Sequence, residues 1–277
     1  MTSVEEPIRF SADGRGLAGI LHHPASGRAQ AVVLVVPPFA EEQKFSHRVF
    51  VNCARECARR DVATLRFDLS GCGDSSGDSR DATLALWRRD IRSARAVLET
   101  RFPRAPLVLL GLRLGSTLAL EAAAEPPHPA GLVLWEPVIS GEKYIDEILR
   151  RRMIKEMMTT GRKAAGREAV LRELDVSGVI DLDGVALGRA LIEEISALDA
   201  GTLAARFSAR TLCVQISYNA KVSPALDSLA KTLAQAHADV RTVGIRLATI
   251  WDRVELVDAT ELIRTTADWL APSPLTT

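Results

Sequence analysis

The sequence has no excess of either charge and no long apolar run. Lys and Arg together number 35, and so do Asp and Glu, so the formal net charge is zero. This balance gives no electrostatic reason to expect nucleic acid or an anionic membrane as a partner. No apolar stretch approaches the about 20 residues of a membrane-spanning helix. The first residues also lack the basic and apolar segments of a signal peptide. We therefore expect a cytoplasmic protein that does not insert into a membrane.

Cysteine is scarce, with only four residues. Cys53 and Cys57 are spaced to share one face of a predicted helix, but no second Cys or His pair has matching spacing. We therefore expect buried, inert thiols in a reducing compartment, with no metal and no cofactor.

Apolar runs alternate with amphipathic segments along the chain of 277 residues. A hairpin is predicted around Asp13 and Gly14, followed by strands and helices in turn, which is typical of right-handed βαβ units and a mostly parallel sheet. Buried strands are predicted at residues 31–36, 63–67, 107–110, 131–135, 211–216 and 240–245. Helices are predicted at residues 46–59, 81–101, 224–236 and 259–270. We predict a single α/β domain over residues 1–277.

Residues 141–206 interrupt the alternation with a charged, helical pattern. We interpret this segment as a helical cap inserted over the ends of the strands. Its arginine run, residues 150–152, is expected to lie on a solvated helix face.

The most specific motif is the turn Gly111-Leu112-Arg113-Leu114-Gly115, which follows an apolar strand and precedes a helix. In an α/β-hydrolase the same turn reads G-x-S-x-G, and its central serine is the nucleophile. Arg113 takes that place here. A guanidinium only donates hydrogen bonds and cannot attack a carbonyl carbon. The sequence therefore predicts the α/β-hydrolase fold without its usual nucleophile.

The other two positions of a Ser-His-Asp triad are also empty. The acid usually follows the strand that ends near Ser217, but residues 218–221 contain neither Asp nor Glu. The histidine usually follows the last strand, yet no histidine lies beyond His237, and Trp251 stands near the expected place. The alternatives for a rearranged site are Cys72, Ser75 or Ser116 as the nucleophile, with a carboxylate or His47 as the base.

Arg113 is expected to lie close to an anion, because it begins a helix whose dipole disfavours a cation. Glu136, after the neighbouring strand, is the first candidate, and one of the two acids Glu41 and Glu42 in the loop after the first buried strand is the alternative. The anion is either a protein carboxylate, giving a structural pair, or that of a ligand. The residues predicted to line a ligand site are Phe39, Glu41, Arg113, Leu114, Glu136 and Trp251.

Four segments, residues 37–42, 68–78, 111–115 and 134–141, together resemble the second type of exosortase A system-associated hydrolases. They also resemble the wider serine aminopeptidase-like group of α/β-hydrolases. The resemblance implies a hydrolase encoded beside exopolysaccharide production and protein-sorting machinery. It also implies that an arginine at the centre of the turn of residues 111–115, which we call the elbow, is part of the family pattern. It also implies a protein partner from such a system.

Two functions remain open on the sequence. In the favoured one, the chain is a pseudo-hydrolase that binds a small acyl or anionic ligand, or a partner. In the alternative, it hydrolyses ester, thioester or amide bonds with a rearranged nucleophile.

Overall fold

An eight-stranded sheet forms the centre of the structure, a computed structural model that describes residues 3–160, 167–182 and 184–271. The described strands, in chain order, are β1 (Ser3–Ala12), β2 (Arg15–Pro24), β3 (Ala31–Val36), β4 (Val62–Phe67), β5 (Leu107–Leu112), β6 (Gly131–Trp135), β7 (Val179–Leu182), β8 (Val185–Gly188), β9 (Arg210–Ser217) and β10 (Val240–Arg246). The sheet order is β1-β2-β4-β3-β5-β6-β9-β10, and β7 and β8 form a separate hairpin. β2 is antiparallel to β1 and β4, and the remaining neighbours are parallel. The predicted α/β fold with a mostly parallel sheet is confirmed.

Helices cover both faces of the sheet. They are α1 (Glu41–Arg59), α2 (Leu84–Arg101), α3 (Leu114–Ala123), α4 (Gly141–Thr160), α5 (Arg167–Ser177), α6 (Arg189–Ser196), α7 (Ala200–Ala204), α8 (Pro224–Gln235) and α9 (Thr260–Leu270), with a short 3-10 helix at Ser79–Asp81. Apolar residues of α1 and α9 form the core on one face, and those of α2, α3 and α8 form it on the other. Every residue of β3 and β5 is buried, as expected for parallel strands covered on both sides.

The first helix begins five residues before the predicted start, at Glu41. Ala40 has a φ of 52°, which turns the chain sharply out of β3 and allows the helix to begin at once. Two acidic residues, Glu41 and Glu42, occupy the first turn, where the helix dipole favours negative charge. The early start places Glu42 on the buried face of α1.

The segment between β6 and β9 contains α4 to α7 and the hairpin of β7 and β8. Its helices occur within the predicted residues 141–206, while the hairpin was not expected from the helical pattern. Among the described residues, none of the helices combines the length and apolar character needed to cross a bilayer.

Candidate functional site

Arg113 stands at the apex of a tight turn between β5 and α3. Its backbone has a φ of 54° and a ψ of −123°, an unusual conformation for a residue with a side chain. The turn is tight enough that a Cβ on Gly115 would lie 2.4 Å from the carbonyl oxygen of Val36. A Cβ on Gly111 would meet the backbone of Gly115 at 2.3 Å. The two glycines thus serve the close strand-to-helix packing that the motif predicts.

The Arg113 side chain is held by carboxylates from two helices. Its Nε donates to Oε1 of Glu42 on α1 at 3.3 Å, and its Nη2 donates to Oε2 of Glu147 on α4 at 2.8 Å. The guanidinium carbon lies 5.3 Å from the ring centre of Tyr144 and 5.1 Å from that of Trp251. Only 11% of the side chain is exposed. The guanidinium is therefore enclosed between two acids and two aromatic rings.

Glu42 receives further donors on both oxygens. The Tyr144 hydroxyl donates to Oε2 at 2.9 Å, and Arg151 Nη2 donates to Oε1 at 3.1 Å. Arg151 also lies 3.3 Å from Oε1 of Glu147, one turn earlier on α4. We call these residues the elbow cluster: Glu42, Arg113, Tyr144, Glu147, Arg151 and Trp251. The negative charges of its two carboxylates cancel the positive charges of its two guanidiniums.

The pKa shifts in the elbow cluster follow from burial and from these contacts. Burial would lower the pKa of Arg113, but Glu42 and Glu147 outweigh it and the net shift is upward. Burial raises the pKa of Glu42, with Arg113 and Arg151 opposing the rise. Burial also raises the pKa of Tyr144, so its hydroxyl keeps its proton and can donate to Glu42. Arg113 is thus a fixed cation and not a titrating group.

The expected ion pair between Glu136 and Arg113 does not form among the described residues, although burial raises the pKa of Glu136 and the charge of Arg113 opposes that rise. The Glu136 carboxylate accepts instead from Nε2 of Gln215 at 2.6 Å and from the backbone N–H of Ile216 at 2.7 Å. Glu136 has a φ of 46°, and this backbone turn comes directly after β6. Its carboxylate therefore ties the ends of β6 and β9 together, while Glu42 takes the place beside Arg113.

The serine alternatives are engaged in structural hydrogen bonds. Ser116 is fully buried in α3, and its hydroxyl donates to the carbonyl of Trp135 at 3.0 Å. The Ser75 hydroxyl donates to the carbonyl of Asp68 at 2.6 Å and accepts from the N–H of Ala18 at 3.0 Å. Neither serine donates to a histidine, so neither has the base that activates a nucleophilic hydroxyl.

Cys72 and His47 do not form a catalytic couple either. Burial raises the pKa of the Cys72 thiol to about 12, which is the opposite of the shift that an attacking thiolate needs. His47 is a partly exposed residue of α1 beside a separate cavity near β4. The burial of part of its ring and the charge of Arg66 lower its pKa.

Little free volume remains beside the elbow cluster. A cavity of about 60 Å³ lies between the start of α1 and α4, and its lining includes Phe39, Glu41, Tyr144 and Arg151. That volume holds a few water molecules, and an organic ligand would fit only if the surrounding side chains moved. Leu114 is buried in the core, Glu41 pairs with Lys155 at 3.3 Å, and Phe39 packs on Trp87. Ligand contact by the predicted lining residues stays a prediction.

Three members of the elbow cluster, Tyr144, Glu147 and Arg151, were missed by sequence reasoning. They lie three and four residues apart on α4 and so share one helix face. The spacing was present in the sequence, but nothing in it indicated that this face meets Arg113. Of the arginine run expected on a solvated helix face, Arg150 is exposed, whereas Arg151 is half-buried and bonded to Glu42, and Arg152 pairs with Glu173 at 2.8 Å.

Comparison with known families decides the family of this chain. The family model described as serine aminopeptidase, S33, matches residues 27–185, which is more than half of the chain. The chain belongs to the serine aminopeptidase S33 family. The matched residues include the loop after β3, the elbow and α4. The match therefore contains five of the six residues of the elbow cluster, all except Trp251.

Individual relatives support the fold of this S33 protein. The human mitochondrial palmitoyl-protein thioesterase ABHD10 is 39% identical over 72 residues, which is 26% of this chain and 22% of that protein. The chain thus matches about a fifth of the length of these curated relatives. Est1E of Butyrivibrio proteoclasticus, solved with ferulic acid bound, superposes with a TM-score of 0.68 at 17% identity over 95% of this chain and 97% of that one. An esterase of Pyrococcus furiosus gives a TM-score of 0.63 at 11% identity over 96% and 90% of the two chains.

Proposed function

We propose that this S33-family chain is a non-hydrolytic protein that works by binding. The observation that carries the proposal is the guanidinium of Arg113 at the apex, bonded to Glu42 and Glu147. Removing a catalytic triad lowers the rate by about a millionfold in a well-studied protease. An arginine can supply neither the nucleophile nor the base of that reaction.

The elbow cluster has a structural role in this proposal. Tyr144, Glu147 and Arg151 project from α4, while Glu42 comes from α1 and Arg113 from the elbow. Breaking a buried ion pair by removing one partner costs about 3–5 kcal/mol. The cluster therefore fastens α4 over the place where an esterase would hold its substrate.

A small acyl or anionic ligand is the proposed occupant of the elbow site. To reach Arg113, an anion has to displace Glu147, whose side chain is 48% exposed and is the more accessible of the two carboxylates. Such a ligand would keep the guanidinium paired while α4 moves away. Displacing Glu147 from Arg113 costs free energy and therefore lowers the affinity of the ligand.

The alternative function is hydrolysis of an ester, thioester or amide with a rearranged nucleophile. The similarity of 72 residues to a palmitoyl-protein thioesterase favours a thioester among these substrates. The hydrogen bonds of Ser75 and Ser116 and the raised pKa of Cys72 count against it.

A covalent probe separates the two functions. A fluorophosphonate should leave this protein unlabelled under conditions that fully label a serine esterase of the same fold. Purified protein should also give no hydrolysis above the buffer rate with p-nitrophenyl acyl esters, acyl thioesters and aminoacyl amides. Labelling or turnover that Ser75→Ala or Ser116→Ala abolishes would establish the hydrolase.

The exosortase resemblance supports a further part of the proposal, namely work in the cytoplasm beside exopolysaccharide and protein-sorting machinery. The genes that flank this one test it directly. Neighbouring genes for an exosortase and for polysaccharide synthesis are expected, and their absence would contradict this assignment without affecting the chemistry of the elbow.

A further inference from the structure

A cavity of about 250 Å³ lies away from the elbow cluster, on the other side of the start of α1. It lies between the hairpin of β1 and β2, the C-terminal ends of β3 and β4, and the first turns of α1. Ligands of doubly wound sheets bind beyond the C-terminal ends of strands, so its position is that of a binding site. We call it the hairpin cavity.

Two guanidiniums line the hairpin cavity: Arg9 on β1, whose Nη1 donates to the carbonyl oxygen of Asp74 at 2.8 Å, and Arg66 on β4, which has no paired acid. The Nε of Arg66 donates to Nε2 of the buried His22 at 3.1 Å. Within the part of the chain that the structure describes, no carboxylate lies within 4.0 Å of the Arg66 nitrogens, and neither terminal nitrogen has an acceptor. The terminal nitrogens of this half-buried guanidinium therefore keep donors that are available to a ligand in the cavity.

Another surface cavity, of about 190 Å³, differs from the hairpin cavity in this respect. It too is lined by arginines, but each of them pairs with a glutamate. The pairs are Arg88 with Glu121 at 2.8 Å, Arg92 with Glu125 at 3.4 Å and Arg95 with Glu99 at 2.7 Å.

The electrostatic setting of Arg66 agrees with this geometry. Burial lowers the pKa of the Arg66 guanidinium, with Glu5 and Asp68 only partly opposing the shift. An arginine nevertheless remains protonated at neutral pH. Its charge is therefore under-compensated by the protein, and a bound anion would stabilise it.

Apolar side chains form much of the remaining wall. Ile20 and Phe67 line the cavity from β2 and β4, and Pro37 and Phe50 line it from the side of β3 and α1. Pockets for small organic ligands combine such walls with a few polar groups that fix the orientation. A ligand with an acidic end and a compact apolar body would match both parts.

Two aspartates restrict the charge of that ligand. Asp68 accepts from Nε2 of Gln43 at 2.6 Å and from the N–H of Asp74 at 3.0 Å, so its carboxylate is oriented by the protein. Both Asp68 and Asp74 line the hairpin cavity. They balance the charges of Arg9 and Arg66, so a dicarboxylate or phosphate brings more uncompensated negative charge into the hairpin cavity than a single carboxylate does.

We propose that the hairpin cavity binds a small organic monocarboxylate, with the carboxylate on Arg66 and the apolar body against Ile20, Pro37 and Phe50. A planar guanidinium matches the two oxygens of a carboxylate, which favours this acid over a spherical anion. The site is separate from the elbow cluster and does not depend on whether the elbow is catalytic.

The test uses 4-methylpentanoate as the probe with the full chain, by calorimetry and by NMR. Binding is expected for the acid, and about tenfold weaker binding or none for the neutral 4-methylpentanamide, for the dicarboxylate adipate and for inorganic phosphate. The backbone signals of Gly19 and Gln43 should shift on titration, while those of Arg113 and Leu114 should not. Equal binding of the amide, tighter binding of phosphate, shifts confined to the elbow or no binding of the acid would each overturn the proposal.

Variants provide a second line of evidence. Arg66→Gln should weaken binding of 4-methylpentanoate at least about tenfold. The matched control Arg88→Gln changes a partly exposed arginine of the other cavity and should leave binding unchanged. If Arg66→Gln does not fold, the comparison of acid, amide, adipate and phosphate on the unaltered protein still decides the matter.

Discussion

The Nε atom of Arg113 lies 3.3 Å from Oε1 of Glu42, which joins the apex of the elbow to the first turn of α1. Both side chains are nearly buried, with exposures of 11% and 5%. The position that carries a nucleophile in a hydrolase is thereby turned into an internal contact.

Arg113→Ala should lower the free energy of unfolding by about 3 kcal/mol, because it leaves the Glu42 carboxylate buried with fewer donors. The loss is at the lower end of the range for buried pairs, since Arg151 and Tyr144 still donate to Glu42. Chemical denaturation measures the change. Arg92→Ala is the control, because Arg92 and Glu125 are both more than half exposed, and it should cost less than about 1 kcal/mol. Equal costs for the two variants would contradict the structural role of Arg113.

His22 should make stability depend on pH between about 6.5 and 4. Burial, with Arg66 adding to it, lowers its pKa in the folded protein from 6.5 to about 4. The unfolded chain therefore binds a proton that the folded protein does not, so stability is complete above pH 6.5 and falls as the pH drops toward 4. The loss is roughly 2–3 kcal/mol, somewhat less than the full shift because water screens part of it.

The contribution of His22 is isolated by comparing variants. His22→Gln keeps an acceptor for Arg66 and should flatten the stability profile in that window relative to the unaltered protein. A His22→Gln profile parallel to that of the unaltered protein, measured by denaturation at several pH values, would refute the assignment.

The cysteines should react slowly with iodoacetamide at pH 8 in the folded protein and readily in denaturant. Burial raises the pKa of both Cys72 and Cys213 to about 12, and Cys53 and Cys57 are fully enclosed. Mass spectrometry before and after unfolding counts the alkylated thiols. Fast, stoichiometric alkylation of Cys72 in the folded state would instead indicate an activated thiolate and revive Cys72 as a nucleophile.

Gly115→Ala should destabilise the fold by about 3 kcal/mol or more, because its Cβ would lie 2.4 Å from the Val36 oxygen and 2.6 Å from that of Pro37. Both atoms belong to backbone and cannot move aside easily. The control is Gly16→Ala, whose nearest neighbour would be the Ser76 hydroxyl at 4.0 Å. Thermal unfolding of the two variants should therefore differ clearly, and a tolerated Gly115→Ala would contradict the close approach at the elbow.

The strands and the elbow were predictable because their signals are local. The run Ala31–Val36 is apolar throughout, which is what burial on both faces requires. Gly111 and Gly115 flank Arg113 at the spacing that a strand-turn-helix junction needs, and the structure places them there.

The partner of Arg113 was not predictable, because it depends on how separate elements dock. Glu136 is close to the elbow along the sheet, but its positive φ turns its carboxylate toward Gln215 and Ile216. Glu42 is in place only because α1 begins at Glu41, directly after the turn at Ala40. Glu147 and Tyr144 contact Arg113 only because α4 packs against the core, and the helical period of residues 141–160 does not indicate where that helix docks.

The cancellation of charge in the elbow cluster also affects how solutes approach the molecule. Two guanidiniums and two carboxylates within a few ångströms produce little field at a distance, even though each pair is strong at contact. Diffusional steering of a charged molecule toward the elbow is therefore weak. The association rate of any charged molecule with that end of the protein should change little with ionic strength.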